Sequence, residues 1–213
     1  MKKLLIFITI FCSILMPVML NAQNRPDALQ AYRQGNFERA IQICIDEIAQ
    51  DPRNLDSYVV ICWSLLRSNR ANRYEETLRY GRIAREINRY DARVTEILGE
   101  AYYYIGNNNE ALRYFQEYVN TAPAGPRIEG VYYYMGEIYI RMGKFRHADI
   151  SLTKAVHWMP RNAAWWTRLA FARENAGSFI EAVSAYEEAL SLNPQLADAS
   201  RGLERVSQRL NPR

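Results

Sequence analysis

Five stretches of this chain repeat one pattern of glycine, alanine and proline. A glycine is followed five residues later by an alanine and about seventeen later by a proline, usually with an aromatic residue two after the glycine. The clearest copies are Gly35–Phe37–Ala40–Pro52, Gly106–Ala111–Pro123, Gly143–Phe145–Ala148–Pro160 and Gly177–Phe179–Ala182–Pro194. Gly143 and Gly177 are 34 residues apart. A period of this length is typical of stacked helical hairpins, so the pattern predicts an all-α solenoid.

The pattern divides the chain into five units of two helices each. Small residues recur where paired helices would cross, and the apolar residues follow three- and four-residue steps that place them on one helix face. We expect the turn glycines to adopt a left-handed backbone and the prolines to end the second helices. The units run over 24–54, 55–91, 92–125, 129–162 and 163–196, and a helix over 197–210 is predicted to cap the stack.

The pattern resembles the tetratricopeptide repeat. The third unit carries it as Leu98-Gly99, Tyr102, Gly106, Ala111, Phe115 and Pro123, and the fifth as Trp166, Leu169-Ala170, Ala182, Tyr186, Ala189 and Pro194. The second unit departs most, because Thr77 replaces the small alanine, Gly81 the aromatic residue and Arg89 the proline. The resemblance implies a right-handed superhelix of about five repeats with a concave groove. It implies little about function, since such repeats serve many unrelated partners.

The first 22 residues have the order of a secretory signal peptide. Lys2 and Lys3 precede an apolar run that Pro17 interrupts, and Asn21-Ala22 offers a small residue for cleavage. We therefore expect a bacterial protein that is exported to the periplasm or cell envelope, with a repeat domain over 23–213 and no stable membrane insertion after cleavage. The alternatives are a retained membrane anchor or a lipid on Cys12. Removing the two lysines lowers the formal net charge from +4 to +2, so the basic balance does not predict nucleic-acid binding.

The sequence contains no motif that predicts catalysis, a cofactor or a metal. His147 and His157 are ten residues apart on one predicted helix and fall on different sides of it. Glu96 and Glu100 share a helix face, but two acids one turn apart are expected to form a solvated polar stripe rather than a catalytic pair. Cys44 and Cys62 either form a disulfide or, as we favour, are separate buried residues.

Tyrosines concentrate in the middle of the chain, where ten of the fifteen lie between residues 90 and 139. Tyr102, Tyr132 and Tyr139 align with core positions of the repeat family, whereas Tyr103, Tyr104 and Tyr133 align with positions that face its inner groove. Tyrosine suits a recognition surface because it offers contact area and a hydroxyl at small entropy cost. The alignment predicts a partner-binding groove formed by Trp63, Arg67, Arg93, Glu100, Tyr103, Tyr104, Tyr133, Glu137 and Arg141.

The sequence therefore predicts a non-catalytic scaffold that binds a peptide or protein segment in its concave groove. In chaperone-binding members of the repeat family, lysines and asparagines hold a terminal carboxylate, but Leu29, Val60 and Trp63 occupy the corresponding positions here. The alternative function is small-ligand binding as an accessory of an envelope transport system. Between Arg53 and Arg93 nine arginines face five acids, an asymmetry that either steers an acidic partner or forms solvated ion pairs.

Overall fold

The computed structural model describes residues 27–211, which form eleven helices and no strand. The proposed signal peptide lies outside these residues. The helices are α1 (Ala28–Arg33), α2 (Phe37–Gln50), α3 (Leu55–Arg67), α4 (Arg73–Ile87), α5 (Ala92–Tyr104), α6 (Asn108–Thr121), α7 (Ile128–Arg141), α8 (Phe145–Trp158), α9 (Ala163–Ala176), α10 (Phe179–Leu192) and α11 (Ala197–Leu210). The predicted all-α class is confirmed. No helix within these residues is both long enough and apolar enough to cross a lipid bilayer.

Local sequence signals determine where many of the helices begin. The side chains of Asn36, Asn54, Asp91 and Asn162 each accept a hydrogen bond from a backbone N–H in the first turn of the helix that follows. Such N-caps satisfy donors that the helix itself leaves unpaired. Gly106, Gly143 and Gly177 have φ between 67° and 84°, which confirms the predicted left-handed turns, and Gly35 adopts the same conformation with φ of 76°.

Small residues permit the close helix crossings that the repeat pattern predicts. Ala148 and Ala182 are fully buried, as expected for residues at a crossing. At Gly99, a Cβ would lie 2.5 Å from the ring of Phe115, so only glycine allows α5 to approach α6 this closely. In the second unit the buried Thr77 takes the place of alanine, and its hydroxyl donates a hydrogen bond to the Arg73 carbonyl at 2.7 Å.

The helices are arranged in two layers. The first helices of successive pairs, α1, α3, α5, α7, α9 and α11, contact one another as well as their chain neighbours. The second helices contact only the helices before and after them within residues 27–211. Because the first helices approach each other more closely, they form the inner, concave layer of the solenoid. Ile128, which falls between the predicted third and fourth units, is buried as the first residue of α7.

Candidate functional site

A row of aromatic rings crosses the concave layer in the middle of the solenoid. Neighbouring ring centroids along this row are 4.7 to 6.0 Å apart. Two of the contacts, at its two ends, are parallel stacks with interplanar angles of 11°. We call this row, formed in spatial order by Tyr74, Tyr104, Tyr103, Tyr134, Tyr133 and Trp165, the aromatic strip. Five of its rings lie on the inner helices α5, α7 and α9, and Tyr74, at the start of the outer helix α4, stacks on the end of the row.

The rings of the aromatic strip are partly exposed and partly buried. Tyr104 is the most exposed, at 42%, and the others are half-buried. Burial raises the pKa of Tyr133 to about 12. The guanidinium of Arg141 lies 3.9 Å above the ring of Tyr103 and also donates a hydrogen bond to the Tyr103 carbonyl at 3.2 Å. Partly exposed rings that are held by their neighbours form a preorganised apolar surface.

Glu96 and Glu100, expected on a solvated stripe, are instead buried beneath the concave surface. Their residues are 3% and 1% exposed. Glu100 accepts a hydrogen bond from the Tyr134 hydroxyl at 3.1 Å and one from Arg67 Nη1 at 3.3 Å. Arg127 lies 3.2 Å from Glu96 and 3.7 Å from Glu100. The expectation of solvation was wrong because arginines from the units on either side cover both carboxylates. We call these five residues, Glu96, Glu100, Arg67, Arg127 and Tyr134, the acid cluster.

The two acids of the acid cluster compete for the same positive charge. Burial and the neighbouring Glu100 carboxylate raise the pKa of Glu96 to about 7, and the opposing attraction of Arg127 does not compensate. Burial, followed by the charge of Glu100, also raises the pKa of Tyr134. The cluster therefore orients Tyr134, and with it the centre of the aromatic strip, through a hydrogen bond to a buried carboxylate.

Trp63 lies beside the acid cluster, near Tyr32 of α1. Its ring is 5.8 Å from that of Tyr32, and both line a cavity of ≈ 170 Å³ together with Arg67, Glu96 and Arg127. A more open groove of ≈ 470 Å³ continues from Trp63 toward α1. The structure thus places Trp63 and Arg67 next to the strip but outside its row of rings.

The remaining charged residues predicted for the groove are paired within the chain. Glu137 accepts hydrogen bonds from Arg168 Nε at 2.6 Å and Nη2 at 2.9 Å. Arg93, at the start of α5, pairs with Asp91 and with Asp56 of α3. It lies roughly 15 Å along the helix from Tyr103. The structure therefore brings Tyr103, Tyr104, Tyr133, Glu137 and Arg141 together and leaves Arg93 apart.

Sequence reasoning missed five residues of this surface: Tyr74, Tyr134, Trp165, Arg127 and Arg168. Tyr134 lies three residues before Glu137 and seven before Arg141, a helical spacing that would have revealed the shared face. Trp165 lies three residues before Arg168 in the same way. Arg127 carried no such signal because it precedes α7 in an inserted loop. Of the three tyrosines expected in the core, Tyr102 is buried, whereas Tyr132 and Tyr139 pack against the core and remain half-exposed.

The arginine-rich second unit is largely neutralised by contacts within the chain. Arg70 pairs with Glu38 and Glu76, and Arg85 pairs with Glu117. Arg79 lies 4.2 Å from the centroid of the Tyr80 ring. These contacts favour the interpretation of the charge excess as a set of ion pairs and cation–π contacts rather than a free basic patch.

Within residues 27–211, no group of three or more His, Cys, Asp or Glu side chains is arranged to hold a metal ion. Cys44 and Cys62 are free and buried. Burial raises the pKa of Cys44 to about 12 and that of Cys62 further, so neither is a reactive thiolate at neutral pH.

Comparison with protein families decides the class of the chain. The model described as the Cilia and flagella-associated protein 70 C-terminal domain, a tetratricopeptide-repeat model, matches residues 65–200. The chain belongs to this family. The matched residues contain the whole aromatic strip, so the strip lies on a tetratricopeptide-repeat scaffold, as the sequence pattern suggested. Comparison with curated protein sequences gave no match.

Solved tetratricopeptide-repeat structures share the architecture. MamA from Desulfovibrio magneticus RS-1 is 20% identical, with 73% of this chain and 85% of MamA covered and a TM-score of 0.65. YrrB, described as a TPR protein with an unusual peptide-binding site, is 19% identical, with 79% and 84% covered and a TM-score of 0.69. The first TPR of Spaghetti (RPAP3), bound to the HSP90 peptide SRMEEVD, is 25% identical, with 56% and 92% covered and a TM-score of 0.51. The similarity to MamA and YrrB establishes the fold alone.

Proposed function

We propose that this protein is a non-catalytic scaffold that binds a peptide or protein segment along its concave face, with the aromatic strip as the main contact surface. The observation that carries the proposal is the strip itself, a continuous row of partly exposed rings across the inner helices. Aromatic residues and arginines are the types that most often dominate the binding energy of interfaces. Peptide binding by YrrB and by the first TPR of Spaghetti supports this use of the scaffold.

The shape of the site favours a segment over a small ligand. A small-ligand accessory protein would need an enclosed pocket, typically of about 300–1,000 Å³. The cavity beside Trp63 measures ≈ 170 Å³, and the larger space of ≈ 470 Å³ is an open groove. The aromatic strip is likewise an open surface along the inner helices, which suits an extended chain.

A double substitution in the strip tests the proposal. Replacing Tyr103 and Tyr133 with alanine should weaken binding of a captured segment by at least about 2 kcal/mol, because buried aromatics are frequent hot spots. The fold should persist, since both residues are only half-buried. Isothermal titration calorimetry measures the affinity and circular dichroism checks the fold.

The matched control is Glu187→Ala on the exposed face of α10, which should change neither affinity nor fold. Normal binding by a folded Tyr103→Ala/Tyr133→Ala protein would exclude the strip as the binding surface. The arginines of α4 would then be the better candidates, and their use would show as an affinity that falls steeply with added salt.

We also propose that the protein is exported to a bacterial periplasm or cell envelope. This proposal rests on the order of residues 1–22, a basic head, an apolar run and a small residue at position 22. N-terminal sequencing of the exported protein should begin near Gln23. An intact amino terminus or a lipid on Cys12 would contradict cleavage by a signal peptidase at this point.

A further inference from the structure

We infer that the concave face binds an acidic protein segment, whose carboxylate side chains contact four arginines that border the aromatic strip. The inference rests on the proposed function and specifies the charge of the segment that the concave face takes. We call these four residues, Arg67, Arg127, Arg141 and Arg168, the arginine set.

The arginines of this set reach solvent, whereas the carboxylates beside them do not. The side chains of Arg67, Arg127 and Arg168 are between 35% and 44% exposed. Their acidic partners are the two glutamates of the acid cluster and Glu137, whose side chains are between 2% and 13% exposed. A ligand on the concave face therefore meets the guanidinium groups first, because the negative charges lie beneath them.

Arg141 adds a positive charge that no acidic side chain pairs with in the described part of the chain. Its residue is exposed, and its guanidinium is held 3.9 Å from the centroid of the Tyr103 ring. The four arginines and the three ionised glutamates together give this surface a net charge of +1. Burial raises the pKa of Glu96 to about 7, so the net charge is larger near neutral pH.

The other acids of α3, α7 and α9 lie away from the arginine set. Asp56 and Glu129 are at the starts of α3 and α7, roughly 17 Å along each helix from Arg67 and Arg141. Separations of that size exceed the distance over which salt screens exposed charges, about 8 Å at physiological ionic strength. The single acid of α9, Glu174, is paired with Arg205 of α11. These acids therefore do not offset the positive charge of the arginine set.

The paired arginines keep hydrogen-bond donors for a second carboxylate. A guanidinium has five N–H groups in a planar fork, which suits a carboxylate. Arg168 donates to Glu137 through Nε and Nη2, so the N–H groups of Nη1 remain. Within residues 27–211, Arg67 donates to Glu100 through Nη1 alone. A ligand carboxylate can thus bind without leaving a buried glutamate uncompensated, which would be costly.

The aromatic strip favours a protein segment over a nucleic acid as the source of the negative charge. Single-stranded nucleic acids need open ring faces for their bases and several phosphate contacts. Here Tyr133 stacks on Trp165 and Tyr74 stacks on Tyr104, so one face of each of these rings is already covered. Half-buried rings suit apolar side chains, and a net charge of +1 suits a few carboxylates better than one phosphate per residue.

The arginine set also gives the length of the segment. It extends from α3 to α9 across four inner helices. Packed helices lie roughly 8–10 Å apart, so three steps between helices cover about 24–30 Å. An extended chain rises ~3.3 Å per residue, so about eight or nine residues span this distance. The expected ligand is an extended segment of this length in which Asp or Glu alternates with apolar residues.

The test compares two labelled peptides of ten residues by fluorescence anisotropy with the full-length chain. One alternates glutamate and alanine, and the other alternates glutamine and alanine. Both carry a C-terminal amide, so that only side-chain carboxylates distinguish them. We expect the glutamate peptide to bind at least ~10-fold more tightly in 50 mM NaCl. Equal affinities for the two peptides would overturn the inference.

A matched pair of arginine variants locates the contact. Arg141→Gln should weaken binding of the glutamate peptide at least ~5-fold and that of the glutamine peptide less than about twofold. The control is Arg79→Gln on α4, since Arg79 is also exposed and lies 4.2 Å from the centroid of a tyrosine ring. It should change neither affinity. Equal losses in the two variants would contradict recognition of the charge by the concave face. Circular dichroism checks the fold of both.

Failure of the inference is distinguishable from failure of the proposed function. A displayed peptide library is selected on the full-length chain in parallel. Selected peptides that need Tyr103 and Tyr133 but contain no more Asp and Glu than the starting library would overturn the inference and leave the proposed function standing. Tighter binding of a ten-residue oligouridylate than of the glutamate peptide would overturn it in favour of a nucleic acid. If no selected peptide depends on the two tyrosines, both the inference and the proposed function are wrong.

Discussion

The middle of the solenoid and its C-terminal end use the same arrangement of a buried glutamate and an arginine, with opposite consequences. Glu96 in α5 and Glu174 in α9 each pair with an arginine 31 residues further along the chain, Arg127 and Arg205 respectively. The pKa of Glu96 is raised, whereas that of Glu174 is lowered. The arginine favours ionisation in both regions, but burial and Glu100 outweigh it at Glu96 and not at Glu174.

Burial, together with a second acid that shares the arginine, explains the raised pKa of Glu96. Burial alone would raise the pKa of Glu174, but hydrogen bonds from Arg205 at 2.5 and 2.7 Å and from the Tyr186 hydroxyl at 2.9 Å outweigh it. In the middle of the solenoid, Glu96 shares Arg127 with Glu100. The C-terminal cluster fastens the capping helix α11, whereas the acid cluster positions side chains beneath the aromatic strip. One region uses its buried charge for stability and the other for orienting a surface.

The largest effect is expected from Gly202→Ala at the C-terminal end. The added Cβ would lie 2.2 Å from Cζ of Tyr186, so the ring must move and its hydrogen bond to Glu174 must break. We expect a loss of about 2–3 kcal/mol in the free energy of unfolding, from overpacking and from the lost hydrogen bond. Urea denaturation measures this loss.

The matched change in the middle is Gly130→Ala in α7. Its added Cβ would meet no atom within 4 Å, and it should stabilise the protein by about 0.5–1 kcal/mol. Equal losses would show that Tyr186 is not held as described.

Substitutions at the helix crossings should lower stability by similar amounts in the two regions, unlike substitutions of the buried charges. Ala111 in α6 and Ala182 in α10 are both fully buried at equivalent crossings. Substitution of either by leucine should overpack the crossing and lower the free energy of unfolding by about 1–3 kcal/mol. Ser178→Ala, at a half-exposed position whose side chain makes no capping hydrogen bond, should cost under about 0.5 kcal/mol. A shift in melting temperature as large for Ser178→Ala as for Ala182→Leu would contradict the repeat alignment.

A pair of isosteric substitutions separates the two charge clusters. Glu174→Gln removes the charge from a group whose ionised form the fold favours. It should destabilise the protein by roughly 1–2 kcal/mol at pH 8, a value reduced because the Arg205 side chain is 46% exposed. Glu96→Gln removes a charge that the fold disfavours and should leave stability unchanged or raise it by up to about 1 kcal/mol. Chemical denaturation of both variants in the same buffer provides the comparison. Destabilisation of similar size by both would remove the distinction between the regions.

The pH dependence of stability gives the most specific difference. The pKa of Glu96 rises from 4.5 in the unfolded chain to about 7 in the fold, so the folded protein holds a proton that the unfolded chain releases. Its contribution therefore makes stability fall as pH rises from about 5 to 7.5. Burial sets this value together with the two charged neighbours, Glu100 and Arg127. The pKa of Glu174 is lowered, so its contribution is lost only as pH falls below about 4.5.

Thermal unfolding of the unchanged protein and of Glu96→Gln at pH 5.5 and pH 8 measures this contribution. The difference in melting temperature between the two pH values should be smaller in Glu96→Gln. Glu174→Gln is the control and should retain the full difference over this range. An unaltered difference in Glu96→Gln would show that this carboxylate is ionised throughout.

The sequence predicted the features that each unit contains within itself. The left-handed glycines, the buried alanines and the helical pairing all follow from residues close together in the chain. The inner positions of Tyr103, Tyr104 and Tyr133 followed from aligning one unit with another. Contacts between units were harder to foresee. Glu100 is buried only because Arg67, 33 residues before it, and Arg127, 27 residues after it, cover its carboxylate. A helical period cannot predict such contacts.

The most direct test of the account is photo-crosslinking from the aromatic strip. A p-benzoylphenylalanine side chain replaces Tyr104, the most exposed ring of the strip, or Ile180, which is 70% exposed on α10. Each protein is irradiated with the tightest-binding peptide selected from a displayed peptide library on the unchanged protein, and the products are analysed by mass spectrometry. The account predicts a peptide adduct at position 104 and none at position 180. An adduct at position 180 without one at position 104 would contradict the claim that the concave aromatic strip binds the partner.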